Sequence, residues 1–584
     1  MADMAPETSP IREHVEADPA TGPRSPLRMA VLVDGFEQPV WVTSMLRQIV
    51  DAGVAEIVLV IVNAAEADAP AVVRRSLPQR VANWWRKRDV LAYAAYRKLD
   101  HRRYLQPGDP EASDDATPLF AGRPVVRVSP RMTKFCDYFD DAAVTEIRGY
   151  DVDVALRLGF RILKGDALQI ARYGVWSFHH GDNRRNRGGP AGFWEVMDDE
   201  PVTGAVLQVL SEELDAGLVL ARSYSSTNPI SVTSNKHNYY WQAAPLLLSS
   251  LRDLRVRGDA MLDEAYVANE WHAYSERLFV APRGGEMLRL MGRLALRLAS
   301  RKLRELLTQD QWFIAYRVTK PVAGHENVPD GSPHRFKELI PPNDRFWADP
   351  IPVVADGKRY IFFEEFITSS PHAHICVMEV DERGNLGTPR RVLERPDHLS
   401  YPFVFEWNGA WYMIPETLKQ RAVELYRATR FPDEWVPDRT LLSDVAAVDA
   451  TVAEIDGRWW MFVGVRAPGA REASMLQIYH AASPLGPWEP HALNPVKIDV
   501  RSARPAGPLF RHNGHWYRPA QCGAPTYGSA TVVNRIVELT TSSFHEVEVS
   551  RLTPTWRPGL NGTHTIAAAG GITVIDARRV RRRF

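Results

Sequence analysis

The chain has 584 residues, enough for more than one domain. Its 71 Lys and Arg residues balance 71 Asp and Glu residues, so no global charge favours a nucleic-acid partner. Cys136, Cys376 and Cys522 lie far apart, which argues against a disulfide framework or a metal-binding cysteine motif and fits a reducing compartment. Residues 1–27 lack an apolar signal-peptide core and are expected to form a disordered tail, and no apolar run reaches membrane-spanning length. We therefore expect a cytoplasmic protein.

Residues 28–260 carry the pattern of an α/β domain. "RMAVLVD" at 28–34 and "EIVLVIVN" at 56–63 are uninterrupted apolar runs with a helical pattern between them, which is typical of a βαβ unit with a parallel sheet. Further strand-like runs occur at 124–128 and 152–160. The turn after the first run is not a glycine-rich phosphate loop, so nothing indicates a dehydrogenase-type nucleotide site.

A polar segment follows the next strand of this domain. "GVWSFHHGDNRRNRGGPAGFWEV", residues 174–196, begins as a strand and then gathers histidines, arginines and acidic residues. Open α/β sheets place their sites at this carboxyl edge. Its candidate substrate contacts are His180, Asp182, Arg187 and Trp194. For three of them a structural role is the alternative: His180 as a loop cap, Arg187 as a shaping residue of the loop, and Trp194 as core.

Four short motifs occur in a distinctive order: Ser177-Phe178-His179, Arg187-Gly188, "TG" at 203–204 and "LDAG" at 214–217. Over residues 28–255 this order resembles the 10-formyltetrahydrofolate-dependent formyltransferases, a family with a Rossmann-like parallel sheet. The resemblance implies that His179 is the base or oxyanion donor and Asp215 its partner, with Ser177 where the family has asparagine. It also implies that 10-formyltetrahydrofolate is the co-substrate, bound along "LGFRIL" by Gly159, Phe160, Arg161, Ile162 and Leu163.

Residues 261–335 are predicted to be a helical linker. In "GEMLRLMGRLALRLASRKLRELL", residues 285–307, arginines recur every four residues and Leu290, Leu294 and Leu298 form the adjacent stripe. One interpretation is an interdomain helix that lays its leucines on the protein body. The other is peripheral contact with an anionic membrane at its cytoplasmic face.

Residues 336–580 repeat a hairpin unit. "WADPIPVVADGKRYIFFEE", "SYPFVFEWNGAWYMIPE", "VDATVAEIDGRWWMFVG" and "RPAGPLFRHNGHWYRPA" each pair two strands across an Asp-Gly or Asn-Gly turn, and "GTHTIAAAGGITVIDA" is a shorter fifth copy. Further strand-like pieces lie between them. Four strands per unit, five times, predict a five-bladed β-propeller.

This half resembles the propellers of arabinanase- and levansucrase-like glycosidases and, more closely, the N-terminal domain of the glucosamine inositolphosphorylceramide transferase family. "FWADP", "YPFVFEWNGAWYMIPE" and "AVDAT" carry that likeness. Hairpin geometry places acidic strand ends at one mouth, so we expect a funnel of Asp349, Glu364, Glu416, Asp449 and His564. Tyr401-Pro402 stands where glycosidase propellers have an acid, which favours carbohydrate binding over hydrolysis.

The whole chain is predicted to be an N-formyltransferase acting on an amino sugar, on a nucleotide or within a glycan or glycolipid, for surface-polysaccharide or glycolipid synthesis. In that prediction the propeller recognises carbohydrate and no metal is required. One alternative is a glycosyl-transferring or glycoside-hydrolysing propeller fused to a degenerate formyltransferase scaffold. Another is a non-catalytic glycan-binding protein. The sequence does not indicate the oligomeric state.

Overall fold

The computed structural model describes residues 25–65, 77–213, 217–269, 274, 277–321 and 324–583. They form an α/β region, a long helix and a β-rich region. The strands of the α/β region are β1 Leu27–Val33, β2 Glu37–Pro39, β3 Ala55–Asn63, β4 Ser113–Asp115, β5 Val125–Val128, β6 Arg131–Met132, β7 Cys136–Tyr138, β8 Val154–Arg157, β9 Ile162–Lys164, β10 Val175–His179, β11 Val202–Val209 and β12 Leu218–Ser226. The helices are α1 Val40–Asp51, α2 Leu77–Tyr104, α3 Thr117–Phe120, α4 Asp141–Arg148, α5 Trp194–Asp198, α6 Val232–Ala243, α7 Pro245–Arg257, α8 Asp259–Ala268 and α9 Gly284–Leu307.

The main sheet of the α/β region has the order β12-β11-β10-β8-β1-β3-β5. Strands β10, β8, β1, β3 and β5 run parallel, while β11 and β12 are antiparallel to their neighbours. The central strand β1 is fully buried from Met29 to Val33, as expected for a parallel strand covered on both faces. The predicted α/β class of this region is confirmed.

The segment predicted to be a helical linker contains more than helix. Helix α9 occupies residues 284–307, but residues 308–318 form a strand, so the helical linker ends before 335. Residues 311–318 of this strand, "QWFIAYRV", are mostly apolar or aromatic, and all are buried or half-buried. The tryptophan and phenylalanine in this run favour extended backbone. Among the described helices, none is both long and apolar enough to cross a membrane.

Helix α9 buries one leucine stripe and exposes another. Leu290 and Leu294 pack with Met287 in a buried cluster that includes Phe193 and Trp194 of the α/β region, whereas Leu298, the third leucine of the predicted stripe, is half-buried and outside that cluster. On the opposite face the helix carries leucines that are each more than half exposed: Leu288, Leu296, Leu303, Leu306 and Leu307.

The β-rich region follows directly from α9. Its strands are β13 Thr308–Val318, β14 Lys337–Leu339, β15 Arg345–Ala355, β16 Lys358–Ile367, β17 His374–Val380, β18 Arg390–Leu393, β19 Ser400–Trp407, β20 Ala410–Glu416, β21 Ala422–Arg430, β22 Glu434–Ser443, β23 Ala447–Ile455, β24 Arg458–Val465, β25 Met475–Ala481, β26 Glu489–Pro490, β27 Lys497–Ile498, β28 Phe510–His512, β29 His515–Cys522, β30 Ala530–Leu539, β31 Phe544–Leu552, β32 Leu560–Gly562, β33 Ile566–Ala569 and β34 Ile572–Arg582.

These strands form antiparallel sheets in chain order, in a propeller-like arrangement. Four sheets are built from consecutive strands: β15 to β18, β19 to β22, β23 to β26 with β27, and β28 to β31. Their first hairpins turn at the predicted sites. Asp356 and Gly357, for example, have φ angles of 50° and 74°, the left-handed backbone that a tight hairpin turn needs.

A further sheet joins the two ends of the β-rich region. Strand β13 pairs antiparallel with β34 from Thr308↔Arg582 to Val318↔Ile572, and β14, β32 and β33 complete the sheet. A strand from before the repeats is therefore bound to the last strand of the chain. This pairing holds the last sheet beside the first without a covalent link.

Candidate functional site

The first strands of three sheets in the β-rich region share one backbone feature, a bulge with a left-handed residue. Asp349, Tyr401 and Asp449 have φ angles of 51°, 45° and 52°, and each lies at a register shift in its hairpin. A bulge with a left-handed residue bends the strand and re-aims its side chain. Aspartate tolerates this conformation, whereas for a bulky tyrosine it is unusual and must be held by its surroundings.

Hydrogen bonds show that these strands meet at one place. The Tyr401 backbone N–H donates to Asp349 Oδ2 at 3.2 Å, and the Tyr401 hydroxyl lies 2.7 Å from Thr451 Oγ1. The Gly507 N–H donates to the Tyr401 hydroxyl oxygen at 2.8 Å. The Thr565 hydroxyl donates to Asp349 Oδ1 at 2.9 Å. Side chains from successive sheets are thus linked around a common centre, and Tyr401 is a structural member of it.

Asp349 and His564 form the first half of the cluster, together with Asp576. His564 Nδ1 lies 2.5 Å from Asp576 Oδ2, and its Nε2 lies 3.7 Å from Asp349 Oδ1. Burial alone would lower the pKa of His564, but the carboxylates of Asp576 and Asp349 outweigh it and raise that pKa. Burial raises the pKa of Asp349 to about 7, against the opposing effect of His564. This triad can therefore hold or release a proton near neutral pH.

Glu416 and Asp449 form the second half, around Arg504. Arg504 Nη2 donates to Glu416 Oε2 at 3.0 Å and to Asp449 Oδ1 at 3.1 Å, while its Nε contacts Asp449 Oδ2. The Gln521 amide donates to Asp449 Oδ2 at 2.9 Å. Burial raises the pKa of Glu416 well above its usual value, and the adjacent Asp449 adds to this effect while Arg504 opposes it. These effects together favour the protonated form of Glu416.

The fifth predicted funnel residue, Glu364, lies beside the centre. His398 Nε2 is 3.1 Å from Glu364 Oε1, and this contact raises the pKa of His398. Glu364 also acts electrostatically on Asp349. The structure thus brings the five predicted residues together in one region of buried charge.

Two clusters of described residues have the spacing of a metal-ligand set. Asp349, His564 and Asp576 form one, and Glu365, His374 and Cys376 form the other, each with its ligand atoms within 4.8 Å of one another. In the second cluster Glu365 already accepts a hydrogen bond from the Trp347 indole at 2.8 Å and lies 3.3 Å from an Arg345 nitrogen. Both contacts are to Glu365 Oε1, whereas Glu365 Oε2 faces the rest of the cluster, 3.0 Å from His374 Nε2 and 3.9 Å from Cys376 Sγ.

Four members of the site were not predicted from the sequence: Tyr401, Arg504, Gln521 and Asp576. Arg504 begins "RPAGPLF", the segment in the fourth repeat that corresponds to "VDATVAEI" in the third. Aligning the starts of the repeats, rather than only their acidic residues, would have placed Arg504 near Asp449. Asp576 lies in the fifth hairpin, "GTHTIAAAGGITVIDA", where the pairing of Ile566 with Ile575 places it opposite Thr565, so the same hairpin counting could have found it.

The cluster lies at a cavity between the two regions of the chain. This cavity has a volume of about 420 Å³, and Arg504 and Gln521 line it together with Tyr527. The α/β region supplies the opposite wall, including Asn228 and Asn238. A single buried apolar cluster contains residues of both regions, and the Val500 N–H donates to the Tyr224 carbonyl oxygen at 2.9 Å. The two walls are therefore packed against each other.

The polar segment of the α/β region is arranged differently from the funnel. Ser177 is buried, and its hydroxyl oxygen accepts hydrogen bonds from Arg157 Nε at 3.1 Å and Nη2 at 2.9 Å. His179 Nε2 lies 3.0 Å from the Asn186 carbonyl oxygen. Asp215 lies outside the described residues. The Ser177 hydroxyl is thus directed to a guanidinium group rather than to an open pocket.

His180 is enclosed by aromatic rings. Its imidazole centroid lies 4.6 Å from that of Tyr240 and 5.5 Å from that of Trp41, with Phe178 and Tyr239 also in contact. Burial lowers the pKa of His180 to about 3. The side chain is therefore a neutral member of an aromatic cluster at physiological pH.

Asp182, Arg187 and Trp194 make structural contacts. Asp182 forms an ion pair with Arg222 at 3.1 Å. Arg187 Nε donates to the Asn183 carbonyl at 3.1 Å, and the Trp194 indole donates to the Val280 carbonyl at 3.2 Å. Asp182 and Trp194 line a cavity of only about 70 Å³, far below the size of a sugar site.

The segment predicted to bind folate turns sharply after β8. A Cβ on Gly159 would lie 2.4 Å from the Asp34 nitrogen, so this position requires glycine. Phe160 is buried with a left-handed φ of 61°, and Arg161 Nε donates to Asp137 Oδ1 at 2.9 Å. Ile162 and Leu163 lie in β9. These contacts give the segment a structural role as a sharp turn between β8 and β9.

Comparisons with known proteins concern mainly the β-rich region. Residues 335–563 match the family model described as "Glucosamine inositolphosphorylceramide transferase 1, N-terminal". The predicted resemblance to that family is confirmed for this region. A glucosamine inositolphosphorylceramide transferase 1 of Oryza sativa subsp. japonica is 34% identical over 252 residues, which are 40% of this chain and 33% of the rice protein. The chain thus spans about a third of the length of the curated relatives it matches.

Two solved structures are similar at low TM-score. A family 117 glycoside hydrolase of Zobellia galactanivorans, Zg3597, is 15% identical, with a TM-score of 0.30, and the match covers 47% of this chain and 91% of that one. Glycinamide ribonucleotide transformylase 1 of Symbiobacterium toebii is 13% identical, with a TM-score of 0.26, over 40% of this chain and 89% of that one. Neither likeness is close enough to assign a fold or a function.

The prediction of folate-dependent formyl transfer is wrong. The curated relatives are named glucosamine inositolphosphorylceramide transferases, and none of these names refers to formyl transfer or to 10-formyltetrahydrofolate. The structure adds a physical reason, because the Ser177 hydroxyl accepts two hydrogen bonds from Arg157 and donates its proton to the Phe178 carbonyl oxygen at 3.4 Å rather than to an open pocket. The roles predicted for Ser177, His179 and Asp215 belonged to that reaction and are not carried further.

Proposed function

We propose that the β-rich region is a carbohydrate-active domain that supports glycosyl transfer to a glycan or glycolipid acceptor, with Glu416 and Asp449 at its centre. The observation that carries this proposal is the shared guanidinium: Arg504 bonds both carboxyl groups, and burial raises the pKa of Glu416. Glycosidic chemistry uses two neighbouring carboxyl groups in different environments, one as acid and the other as stabilising anion.

Glycosyl transfer breaks the bond between an anomeric carbon and a leaving oxygen. Glu416 is partly accessible and would donate a proton to that oxygen. Asp449 is fully buried, so it would act through its field on the positive charge that develops at the anomeric carbon. Arg504 positions both groups and, as the partly exposed member, faces the cavity.

Two further considerations support the proposal. The family match at residues 335–563 contains Glu416, Asp449 and Arg504, and the relatives are named glucosamine inositolphosphorylceramide transferases. We also take the antiparallel sheets to be the five blades of a closed propeller, since cross-sheet hydrogen bonds converge at Tyr401 and the β13–β34 pairing joins the ends. A propeller of this kind collects strand ends at one channel mouth.

The test is a transfer assay on the full chain. Vesicles containing inositolphosphorylceramide are incubated with uridine-diphosphate-activated glucosamine or N-acetylglucosamine, and glycosylated lipid is measured by mass spectrometry. We expect transfer by the wild type and at least a hundredfold loss in Glu416→Gln, with no loss in Glu406→Gln, a control at an exposed position of β19. An unchanged rate in Glu416→Gln would refute the assigned role.

Glycan recognition without transfer is the second candidate function. The full burial of Asp449 favours it, because a substrate cannot touch that carboxylate in this conformation. Binding of a glycan by the wild type without turnover of either sugar donor would select this function over transfer.

We further propose that α9 lies on an anionic membrane surface, at its cytoplasmic face. The exposed leucine stripe of α9 is flanked by Arg289, Arg293 and Arg304 on one side and Lys302 on the other. An apolar face with basic flanks is the pattern of an interfacial helix. Such contact would bring the domain to a lipid-linked acceptor.

A further inference from the structure

The cavity between the two regions contains buried amide oxygens without partners. Asn238 on α6 and Gln521 on β29 are both more than nine-tenths buried and line the cavity. Within the described part of the chain, Asn238 Oδ1 and Gln521 Oε1 accept no hydrogen bond, although the Gln521 amide nitrogen donates to Asp449. A buried acceptor without a donor costs about 1–3 kcal/mol. Hydroxyl groups of a sugar would satisfy both.

The same cavity is lined by more positive than negative side chains, although one of its arginines, Arg504, is already paired with Glu416 and Asp449. Arg301 of α9, Arg471 and Arg504 line it, against the single carboxyl group of Glu472 among its lining residues. Among the described residues, Arg301 and Arg471 have no ion pair or hydrogen bond; both are exposed, and Arg471 acts electrostatically on Glu472. Glu472 accepts a hydrogen bond from the Ser226 hydroxyl, and burial raises the pKa of Glu472.

Guanidinium groups that converge on a cavity select phosphate. Each presents several N–H donors in a planar fork that matches phosphate oxygens, and such charge-assisted bonds are stronger than bonds between neutral groups. A volume of about 420 Å³ is within the range of small-molecule sites and large enough for one phosphorylated sugar.

We propose that this cavity binds a phosphate-linked sugar, with the phosphate between Arg301 and Arg471 and sugar hydroxyls donating to Asn238 and Gln521. The proposal rests on the proposed function and names its substrate class. It also gives the α/β region a role, because Asn238 and the neighbouring Asn228 supply one wall of the site. Phosphate-linked sugar occurs both in a nucleotide sugar and in a phosphodiester lipid headgroup, and the two sources are separated below.

The experiment is titration calorimetry on the full chain at low ionic strength. The phosphorylated probes are UDP-N-acetylglucosamine for the nucleotide source and myo-inositol 1-phosphate for the headgroup source, with N-acetylglucosamine and myo-inositol as neutral counterparts. We expect at least one phosphorylated probe to bind at least tenfold more tightly than its neutral counterpart. The probe that shows this preference identifies the source.

Variants assign the contacts. Arg301→Ala combined with Arg471→Ala should abolish the preference for phosphate, whereas Arg289→Ala, an exposed arginine on α9 outside the cavity lining, should leave it unchanged. Asn238→Ala should lower the affinity for the phosphorylated probe and for the neutral probe by the same several-fold factor. Equal affinity for phosphorylated and neutral probes, or an unchanged preference in the double arginine variant, would overturn the inference.

Titrating Glu416→Gln in parallel separates this inference from the proposed function. Retained binding with lost transfer supports both. Retained binding with retained transfer refutes the role of Glu416 and leaves the phosphate-linked sugar site intact. Loss of phosphate preference in the wild type refutes the site, whatever the transfer assay shows.

Discussion

Replacing Arg504 by leucine removes the cation that two carboxyl groups share. Its guanidinium bonds Glu416 and both oxygens of Asp449, and Asp449 is fully buried. Removing one partner of a buried ion pair costs about 3–5 kcal/mol, since the remaining charge is left uncompensated. We therefore expect Arg504→Leu to lower the free energy of unfolding by that amount at pH 7.5, and Arg511→Leu, on an exposed position of β28, to have little effect.

The pH dependence gives this prediction its specific signature. Without Arg504 the folded protein relieves the buried charge by binding a proton that the unfolded chain does not bind at neutral pH. Stability then falls as pH rises, so the variant recovers relative to the wild type as pH is lowered, by at most about 1.4 kcal/mol per pH unit.

Urea unfolding of the full chain at pH 7.5 and 5.5, followed by tryptophan fluorescence, measures both effects. The double variant Arg504→Leu with Asp449→Asn should regain a large part of the lost stability, because the uncompensated charge is gone. The same destabilisation at both pH values, with no recovery in the double variant, would show that Arg504 acts through packing and not through charge.

His180, the exposed leucines of α9 and the β13–β34 pairing allow three more tests. Burial holds the pKa of His180 at about 3, so below about pH 6.5 the unfolded chain binds a proton that the folded state does not bind. Stability therefore falls as pH drops. The variant His180→Phe should lack this loss when thermal unfolding is measured at pH 7.5 and 5.0. Leu296→Glu with Leu303→Glu should reduce co-sedimentation with phosphatidylserine vesicles at least tenfold; unchanged binding would contradict the membrane proposal. A chain that starts at residue 335 lacks the partner of 572–582 and should aggregate on size-exclusion chromatography, whereas a chain from 277 should elute as a folded species; a folded product from both would contradict the closing role of the pairing.

The hairpin repeats allowed much of the β-rich region and its charge cluster to be predicted. Each Asp-Gly or Asn-Gly turn fixes the register of its two strands, so counting seven or eight residues from the turn places Asp349, Glu416 and Asp449 at matching strand ends. Since successive repeats follow one another in chain order, matching ends meet. Local turn chemistry was sufficient for this inference.

The partners of these carboxyl groups could not be predicted by counting residues from a turn. Tyr401 enters the site through a left-handed bulge, which is rare for tyrosine and has no sequence signature. Arg504 reaches Glu416 across 88 residues of sequence, and Asn238 comes from the other region of the chain. Contacts at such separations depend on how the sheets and the two regions pack, which no local pattern specifies.

The α/β region shows why a correct fold class did not yield the function. Its strand pattern was predicted, and the polar segment does follow β10 at the carboxyl edge of the sheet. The same order of motifs can result from the needs of the loops in that fold or from the needs of a reaction. It could therefore not show whether the Ser177 hydroxyl is free to react or is bonded to Arg157, as it is in the structure. Function resides in the geometry of particular side chains rather than in the fold that carries them.

Helix α9 connects the proposed membrane face to the proposed sugar site. It continues directly into β13, and the Arg583 N–H donates to the Leu307 carbonyl at 3.1 Å, which ties the helix end to the end of the last strand. Arg301 lies six residues before Leu307, roughly 9 Å along the axis, and lines the cavity. A helix lying on a bilayer would therefore hold the cavity at the level of the lipid headgroups, where a phosphodiester-linked sugar is found. On this geometry we expect the headgroup probe, rather than the nucleotide sugar, to depend most strongly on Arg301.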